Sequence, residues 1–429
     1  MVCTLSPSSR LQRVVVLVEH FPPFLGSDRT VFELARRVAE QNVKVHFVAT
    51  QPLRYLLGQR PPDWKYKDNW TRSPTRIHNN MSAKYLLLSN RMLSLWRWAM
   101  PLAYIITLLL FTGRAIKEIN RFGADVVVVA NGSPLLGVVG LLCARLSGRR
   151  LLVGCPDWMT AYAAGLSGRK MDSLRLVFMN AVEMQLYRWA DAVFTVTVFL
   201  ERVLTRYGVN PSRVTVIPNG VDTREFSPMV DGSDIRRRYG LGTGCVILLS
   251  GHLEDWAGVS LIHDLAKKLY NEFPDSRVLL VGAGSSIPSL LEKLSRDNLA
   301  RMVIYAGLQP FEQMPRFNSA CDIAVCVFPR TLTSHAASPL KIFEYMGAGK
   351  AIVATRVAGT AEVLDENTAI IVPPDDTAAI CDAVVMLCRD PLLRARLGTN
   401  ARASAERSYS WKSLSERFLD ECFKVVTEH

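Results

Sequence analysis

The feature that most constrains the fold is a series of continuous apolar runs separated by segments of helical period. Twelve runs rich in Val, Ile and Leu recur along the chain, at 14–18, 43–49, 125–130, 150–155, 192–198, 213–218, 245–251, 277–284, 303–308, 322–329, 351–355 and 369–374. Strands that are apolar on both faces are typical of parallel sheets covered by helices. Between the first two runs, Val31, Leu34, Ala35 and Val38 follow the i, i+3, i+4, i+7 spacing of a helix. The pattern predicts an α/β protein with doubly wound, Rossmann-like sheets.

The length indicates two domains. A chain of 429 residues exceeds what one ordinary core holds, and the turn-rich segment IPNGVDTREFSP at 217–228 divides the runs into two sets of six. The last segment, 410–429, has Leu414, Phe418, Cys422 and Val425 on one helical face. We therefore expect a first domain over 1–216, a second over 217–408 and a C-terminal helix over 409–429.

Composition narrows the class of protein. The chain is 49% hydrophobic and 21% charged, which excludes a disordered protein. Its nine cysteines form no CxxC pair, and the first fifteen residues lack the apolar core of a signal peptide. These features predict free thiols in a reducing compartment, and hence a cytoplasmic location.

Positive charge is concentrated in segment 54–121. This segment contains twelve Lys or Arg residues and only three acidic residues. The net charge of the whole chain is +12. Four of the eight tryptophans lie in the same segment, beside the apolar run WAMPLAYIITLLLF at 98–111. Fourteen residues with an internal proline are too few to span a bilayer, which needs about 20. Two interpretations stay open: peripheral contact with an anionic membrane, or a core helix with a solvated basic face. Nucleic-acid binding is disfavoured because the aromatic residues adjoin an apolar segment.

The stretch SPLKIFEYMGAGKAIVAT at 338–355 predicts a ligand site. Ser338 as N-cap and Pro339 at the first position begin a helix, and Gly347 and Gly349 end it before a strand. Lys341 then lies in the first turn, where its charge is unfavourable unless an anion binds there. We infer a diphosphate site made of backbone N–H groups and one ammonium group, without a metal.

Glu344 lies three residues after Lys341, about one turn further along the same face. A carboxylate there suits the hydroxyl groups of a ribose. The alternative is a simple i, i+3 salt bridge, worth a few tenths of a kcal/mol. The lysine at the helix start, the carboxylate and the glycine-rich exit together favour a nucleotide.

Two other loops are weaker candidates. Gly26 and Ser27 precede the first helix, and VGAGSSIPSL at 281–290 has a GxG pattern that includes Gly284. The second pattern lacks the third glycine and the acidic ribose ligand of a dinucleotide fingerprint, which disfavours a nicotinamide site.

These motifs resemble a known family. VIPNGVDTREFSP, together with the stretch from Ser338 to Asp376, resembles the retaining glycosyltransferases of the two-domain GT-B fold, specifically the family 4 group that includes sucrose synthase and bacterial mannosyltransferases. GHLEDWAG, YAGLQPFEQMPRFNSACDIAVCVFP and the final YSWKSL follow in the family's order. The resemblance implies two domains facing a central cleft, with the nucleotide sugar in the second, the acceptor in the first, and a last helix crossing back to the first.

The resemblance also implies roles for individual residues. Glu344 matches the ribose ligand, Gly26 with Ser27 matches the acceptor-side glycine loop, and Asp157 in GCPDWMTAY falls where relatives place a polar residue near the reacting sugar. Three positions depart from the pattern: Ala336 replaces the family's first glutamate, with His335 beside it, and His252 and Ala257 replace a phosphate-binding arginine and lysine.

The function predicted is a metal-independent retaining glycosyltransferase that moves a sugar from a nucleoside-diphosphate sugar to a lipid-linked or glycan acceptor at the cytoplasmic membrane face. Asp157, His335 and Lys341 are the candidate catalytic residues. The candidate donor ligands are Gly26, Ser27, His252, Gly284, Ser338, Pro339, Leu340, Lys341 and Glu344. The alternative is a catalytically weak scaffold of the same fold that binds a nucleotide or a protein partner; a nucleotide-sugar epimerase is disfavoured because the first-domain loops offer no carboxylate and histidine pair.

Overall fold

The computed structural model describes residues 11–19, 26–50, 75–86, 100–167, 171 and 173–427. Half of the basic segment 54–121 lies outside these residues, including its four tryptophans, and so do the side chains of Gly26 and Ser27. The chain divides into two compact units, Met1–Pro218 with Lys412–His429, and Asn219–Trp411.

The first unit is built on an eight-stranded sheet with strand order β3-β4-β2-β1-β5-β6-β7-β8. Its elements are β1 Arg13–Val18, α1 Gly26–Glu40, β2 Lys44–Thr50, β3 Thr75–His78, β4 Met81–Leu86, α2 Met100–Phe122, β5 Val126–Val129, α3 Pro134–Leu146, β6 Arg150–Cys155, α4 Met159–Ser167, α5 Leu174–Trp189, β7 Ala192–Thr195, α6 Val198–Arg206 and β8 Val214–Val216. The six strands expected from the apolar runs are all present and pair in parallel.

The edge hairpin β3–β4 was missed by the sequence analysis. Strand β4 pairs in parallel with β2, whereas β3 is antiparallel to β4. The hairpin was missed because β4 is not a continuous apolar run. Along β4, Met81, Ala83 and Tyr85 are buried, while Ser82 and Lys84 between them are half-buried. Lys84 is tolerated there because its Nζ lies 2.6 Å from an oxygen of Glu118, a buried carboxylate on α2.

Helix α2 contains most of the apolar run at 98–111 and extends well beyond it. Phe111, Ala115 and Ile119 on one face are fully buried, whereas Ile105 and Leu109 near the start of the helix are exposed. A core helix and an exposed apolar surface are therefore combined in one element. Among the described residues, no helix is long and apolar enough to cross a membrane.

The second unit is a six-stranded parallel sheet with strand order β11-β10-β9-β12-β13-β14. Its elements are α7 Ser233–Arg238, β9 Val246–His252, α8 Ile262–Glu272, β10 Arg277–Ala283, α9 Ile287–Arg296, β11 Val303–Tyr305, α10 Met314–Ala320, β12 Ile323–Cys326, α11 Leu332–Ala336, α12 Leu340–Gly347, β13 Ala351–Thr355, α13 Ala358–Ala361, β14 Ile370–Val372, α14 Thr377–Arg389 and α15 Pro391–Ser408. After β9 the chain builds outward through β10 and β11, then returns to β12 and builds the other way. Ligands of such sheets bind where the strand order reverses, at the carboxyl ends of β9 and β12.

The last helix, α16 Trp411–Thr427, returns the chain to the first unit from Lys412 onward. Its four predicted apolar residues are all buried. The ring of Phe418 packs edge-on against that of Phe194 on β7, with 5.4 Å between centroids. Near the start of the helix, Arg417 donates to the carbonyl oxygen of Val216, 2.6 Å away, so the helix is fixed to the end of β8.

Candidate functional site

Lys341 lies at the switch point of the second sheet. Its ammonium nitrogen donates to the carbonyl oxygen of Ser250 near the end of β9, at 3.0 Å, and lies 5.4 Å from the ring centroid of Phe328, just after β12. The buried hydroxyl of Tyr345, on the same helix as Lys341, lies 2.8 Å from the Ser250 hydroxyl and 3.3 Å from the Ser250 nitrogen, which donates to it. An ammonium group has three N–H bonds, so the cation is positioned by one and keeps donors for an anion.

The start of α12 differs from the prediction by one residue. Pro339, in an extended conformation, is the N-cap, the helix begins at Leu340, and the Ser338 hydroxyl makes no capping hydrogen bond. Ser338 is held instead through its carbonyl oxygen, which accepts from the side-chain amide of Asn219 at 2.5 Å. Within the described part of the chain the Ser338 hydroxyl has no hydrogen-bond partner, although the residue is only 8% exposed. Because an unsatisfied buried hydroxyl is costly, this atom marks the entrance of α12 as a place for a polar ligand.

His252, the last residue of β9, is exposed and stacks loosely with a neighbouring tryptophan. Its ring centroid lies 6.2 Å from that of Trp256, which in turn stacks on Phe328 at 6.3 Å. Partial burial and then the positive charge of Lys341 lower the pKa of His252, while Glu254 acts in the opposite direction. The imidazole is therefore neutral at pH 7 and contributes a hydrogen bond rather than a charge.

The loops after β9 and β10 are joined by a carboxylate that the sequence analysis missed. Glu254 accepts hydrogen bonds from the backbone nitrogen and hydroxyl of Ser285, both at 2.7 Å, and from the hydroxyl of Ser286 at 3.3 Å. Beside this contact, a Cβ atom on Gly284 would lie 1.7 Å from the carbonyl oxygen of Leu253. Close packing of the two loops thus explains Gly284 without a ligand, and its predicted role in donor binding stays a prediction.

His335 contacts the backbone of α13, and the two substituted positions Ala336 and Ala257 lie in the interior. The Nδ1 atom of His335 accepts a hydrogen bond from the backbone nitrogen of Ala358 at 3.0 Å, which places the proton of the neutral ring on Nε2. Ala336 and Ala257 are almost fully buried. A charged side chain at either position would need a partner, because burying an unpaired charge is costly.

The other predicted donor ligands are placed less fully. Glu344 lies half-buried on α12, three residues after Lys341. Gly26 and Ser27 form the start of α1 in the other unit, so the predicted donor ligands come from both units.

In the first unit, Asp157 follows β6 in a cluster of buried polar groups. Burial raises the pKa of the Asp157 carboxyl to about 7. Glu183 on α5, 1% exposed, accepts from the backbone nitrogens of Met159 and Thr160 and from the Thr160 hydroxyl, at 2.5–3.0 Å. Burial raises the pKa of Glu183 to about 7 despite these hydrogen bonds, and the charge of Asp157 adds to the rise.

Glu19 and Ser133 lie at the same carboxyl edge of the first sheet, and the sequence analysis did not identify them. Glu19 follows β1, and its carboxylate accepts from the hydroxyl of Ser133, the N-cap of α3, at 2.6 Å. Next to Ser133, a Cβ on Gly132 would lie 2.3 Å from the phenol oxygen of Tyr187, so only glycine fits over this buried ring. The signal in the sequence was weak, since a lone Glu or Ser after a strand usually only caps a helix.

The architecture and the edge of the second sheet define a class: two Rossmann-like units with a lysine in the first turn of a helix at the switch point, as in GT-B glycosyltransferases. The comparisons agree. Residues 244–390 match the family model described as "Glycosyl transferases group 1", and residues 25–225 match "Glycosyltransferase Family 4". The chain belongs to the family 4 glycosyltransferases of the GT-B fold, as the resemblance implied, and the retaining mode stays a prediction.

Similar proteins include a D-inositol 3-phosphate glycosyltransferase of Acidothermus cellulolyticus, 32% identical over 50% of this chain and 48% of that protein. A GDP-mannose-dependent alpha-(1-6)-phosphatidylinositol monomannoside mannosyltransferase of Mycolicibacterium smegmatis is 28% identical over 48% of this chain and 54% of that protein. The chain thus spans about half the length of these curated relatives.

Solved structures agree over nearly the whole chain. Sucrose-phosphate synthase of Thermosynechococcus elongatus superposes with a TM-score of 0.71 at 19% identity, covering 95% of this chain and 98% of that one. Anabaena HepE in complex with UDP and glucose gives a TM-score of 0.70 at 16% identity, with the same coverage. At these identities the likeness concerns the fold alone.

Proposed function

We propose that this protein is a retaining glycosyltransferase that takes a sugar from a nucleoside-diphosphate sugar and places it on a lipid-linked or glycan acceptor, without a metal, at the cytoplasmic face of a membrane. Relatives named for acting on phosphatidylinositol mannosides, and a structural neighbour in complex with UDP and glucose, support the substrate classes.

One observation carries the donor half of the proposal. The Lys341 ammonium is fixed by the Ser250 carbonyl at the switch point, in the first turn of its helix. The entrance of this helix holds the Ser338 hydroxyl, which has no hydrogen-bond partner among the described residues. Helix N–H groups, an ammonium and a hydroxyl are together a suitable receptor for a diphosphate. The departing nucleoside diphosphate gains negative charge as the glycosidic bond breaks, so Lys341 stabilises the transition state more than the ground state.

His252 has a secondary role in this proposal. A neutral imidazole next to Lys341 donates one hydrogen bond to a phosphate oxygen, and a bound diphosphate would raise its pKa again. Glu344 would accept from the ribose, and His335 would donate from Nε2, the ring nitrogen that carries the proton.

On the acceptor side we assign Asp157 as the group that handles the acceptor hydroxyl. A carboxyl with a pKa of about 7 exchanges a proton near neutral pH, as a general acid or base requires. Glu183 positions this loop by capping the start of α4, immediately after Asp157.

The test is thermal unfolding of the purified protein with UDP, GDP, ADP and their common sugar conjugates, with and without magnesium. A nucleotide at 100 times its dissociation constant adds about 2.7 kcal/mol to stability. We expect one nucleotide to stabilise the wild type with no need for magnesium, and Lys341→Met to weaken its binding about 100-fold, because an anion loses its charged partner. Lys267→Ala, which removes an exposed lysine of α8 in the same unit, is the matched control. Unchanged nucleotide affinity in Lys341→Met would refute this site.

A second candidate is a nucleotide-binding scaffold without turnover. The buried alanines at 336 and 257 and the neutral His252 favour it, because three usual donor ligands of the family are replaced. The two functions separate on one measurement. A scaffold binds the nucleotide in the thermal assay but neither transfers sugar nor hydrolyses the donor.

A further inference from the structure

Trp256 exposes part of a large aromatic ring at the carboxyl edge of the second sheet. It lies on a single helical turn after β9, Asp255–Ala257, and is 44% exposed, whereas the neighbouring Ala257 is buried. The ring stacks on that of Phe328, just after β12, with 6.3 Å between centroids and 22° between planes. The rest of the indole surface faces solvent and is accessible to a ligand.

The turn that carries Trp256 is fixed on both sides. Before it, the backbone nitrogen of Asp255 donates to the hydroxyl of Ser286 at 3.1 Å. After it, Gly258 has a φ of +98°, and a Cβ there would lie 2.4 Å from a methyl carbon of Val327. The ring is therefore held in place before any ligand binds, which lowers the entropic cost of binding.

The ring of Trp256 lies beside the groups proposed to bind the diphosphate. Its centroid is 6.2 Å from that of His252, and the Phe328 ring on which it stacks lies 5.4 Å from the Lys341 ammonium nitrogen. Phe328 is itself anchored, because the hydroxyl of Thr355 accepts from its backbone nitrogen at 2.8 Å and donates to its carbonyl oxygen at 2.9 Å. One aromatic ring thus separates Trp256 from Lys341.

A nucleoside-diphosphate sugar carries two groups on its diphosphate, the nucleoside and the sugar. In the proposed function the ribose binds Glu344, about one turn into α12 from Lys341, so the nucleoside extends along the helix. The sugar then continues past the start of the helix, toward the loops after β9 and β12 that hold Trp256 and Phe328. A hexopyranose has a face of C–H bonds, which packs on an aromatic ring as other apolar groups do.

We propose that Trp256 is a specificity-determining residue whose ring stacks on the C–H face of the donor sugar. This inference rests on the proposed function and deepens it, because it names the surface that holds the sugar in addition to the diphosphate. The expected ligand class is a neutral hexopyranose, since the negative face of an aromatic ring repels a carboxylate such as that of a uronic acid.

The experiment is calorimetric titration of the purified full chain. The ligands are the nucleoside diphosphate that stabilises the wild type and its glucose, galactose and mannose conjugates. We expect Trp256→Leu to weaken binding of the preferred conjugate about tenfold and to leave the bare nucleotide unchanged, because only the sugar loses its stacking surface. Trp256→Phe keeps an aromatic ring and should recover most of the lost affinity.

Trp189→Leu is the matched control. It replaces an exposed tryptophan at the end of α5, in the first unit, and should bind both kinds of ligand as the wild type does. Thermal unfolding without ligand checks that each variant is folded, which we expect because the turn at 255–257 is held by its neighbours and the replaced ring is partly exposed.

The outcomes separate this inference from the proposed function. Wild-type affinity of Trp256→Leu for the conjugate overturns the stacking and leaves the donor site intact. An equal loss for the bare nucleotide and the conjugate also overturns it, since the ring would then contact the nucleobase or support the loop. A wild type that binds no nucleotide at all overturns the proposed function and this inference together.

Discussion

The carboxyl edges of the two sheets carry different kinds of ionisable group. In the second unit a basic side chain, that of Lys341, donates to a neutral carbonyl oxygen, and the surrounding loops are fixed by close backbone packing. In the first unit the charge is conditional, since Asp157 and Glu183 are carboxyl groups whose pKa values burial raises to about 7. One edge is therefore suited to binding an anion, and the other to exchanging a proton near neutral pH.

The difference follows from what each edge is made of. Lys341 lies in the first turn of a helix and donates to the Ser250 carbonyl oxygen. A carboxyl placed among protein atoms loses its hydration and keeps its proton to a higher pH. The first arrangement is local in sequence, whereas the second depends on packing between distant segments.

The largest effect is expected from filling the space between two loops of the second unit. In Gly359→Ala the new Cβ would lie 1.7 Å from the carbonyl oxygen of Ala337, so the loop before Lys341 must shift. We expect a loss of about 3 kcal/mol in the free energy of unfolding, measured in urea, together with weaker nucleotide binding.

Gly113→Ala is the matched substitution in the first unit. Among the described residues nothing lies within 4 Å of its added Cβ, and Gly113 is inside α2. It should stabilise the protein by about 1 kcal/mol through helix propensity. Equal stability of both variants and the wild type would show that the second edge is not defined by backbone packing.

Asp157→Asn tests the buried carboxyl group at the edge of the first sheet. The unfolded carboxyl loses its proton near pH 3.8 and the folded one near 7. Between these values the folded protein binds more protons, so Asp157 makes stability fall as pH rises. The variant should be more stable than the wild type at pH 8, by about 1 kcal/mol, equal to it below pH 4, and inactive in sugar transfer.

Glu183→Gln is the comparison variant for the stability of Asp157→Asn at pH 8. Its carboxylate accepts three hydrogen bonds, and an amide cannot accept all of them. It should be less stable than the wild type at pH 8, by about 1–2 kcal/mol. If Asp157→Asn also loses stability at pH 8, Asp157 is a structural group and its assignment to the acceptor hydroxyl fails.

The smallest effect concerns His252. Its pKa is lowered in the free protein and should rise when a diphosphate binds, so binding takes up a proton. The affinity for a nucleotide sugar, measured by calorimetry, should increase several-fold between pH 7.5 and pH 5.5, and His252→Asn should abolish the increase. A pH-independent affinity in the wild type would place His252 outside the donor site.

The parts of the molecule that could be predicted are the strands and helices that short stretches of sequence determine. All twelve apolar runs contain strands of the two sheets, and the helix with Lys341 in its first turn was visible from Pro339 and the glycines that follow. The hairpin β3–β4 was not, because its alternating side chains depend on Glu118, more than thirty residues away, to satisfy Lys84.

The chemistry of the first unit was only partly predictable for the same reason. Asp157 could be singled out as a polar residue after a strand, but its raised pKa depends on burial, and its neighbour Glu183 comes from a separate helix. Similarly, Ser338 was expected to cap its helix, whereas the structure buries its hydroxyl with no partner in the part of the chain that it describes.

The return of α16 to the first unit has a consequence for the order in which the protein matures on the ribosome. Phe194 in β7 emerges early, yet the ring it packs against, Phe418, is made more than two hundred residues later. The first unit must therefore wait, with part of its core uncovered, while the whole second unit is synthesised. Nascent chains stalled before α16 should expose this surface to chaperones, whereas the second unit, contiguous in sequence, can finish folding first.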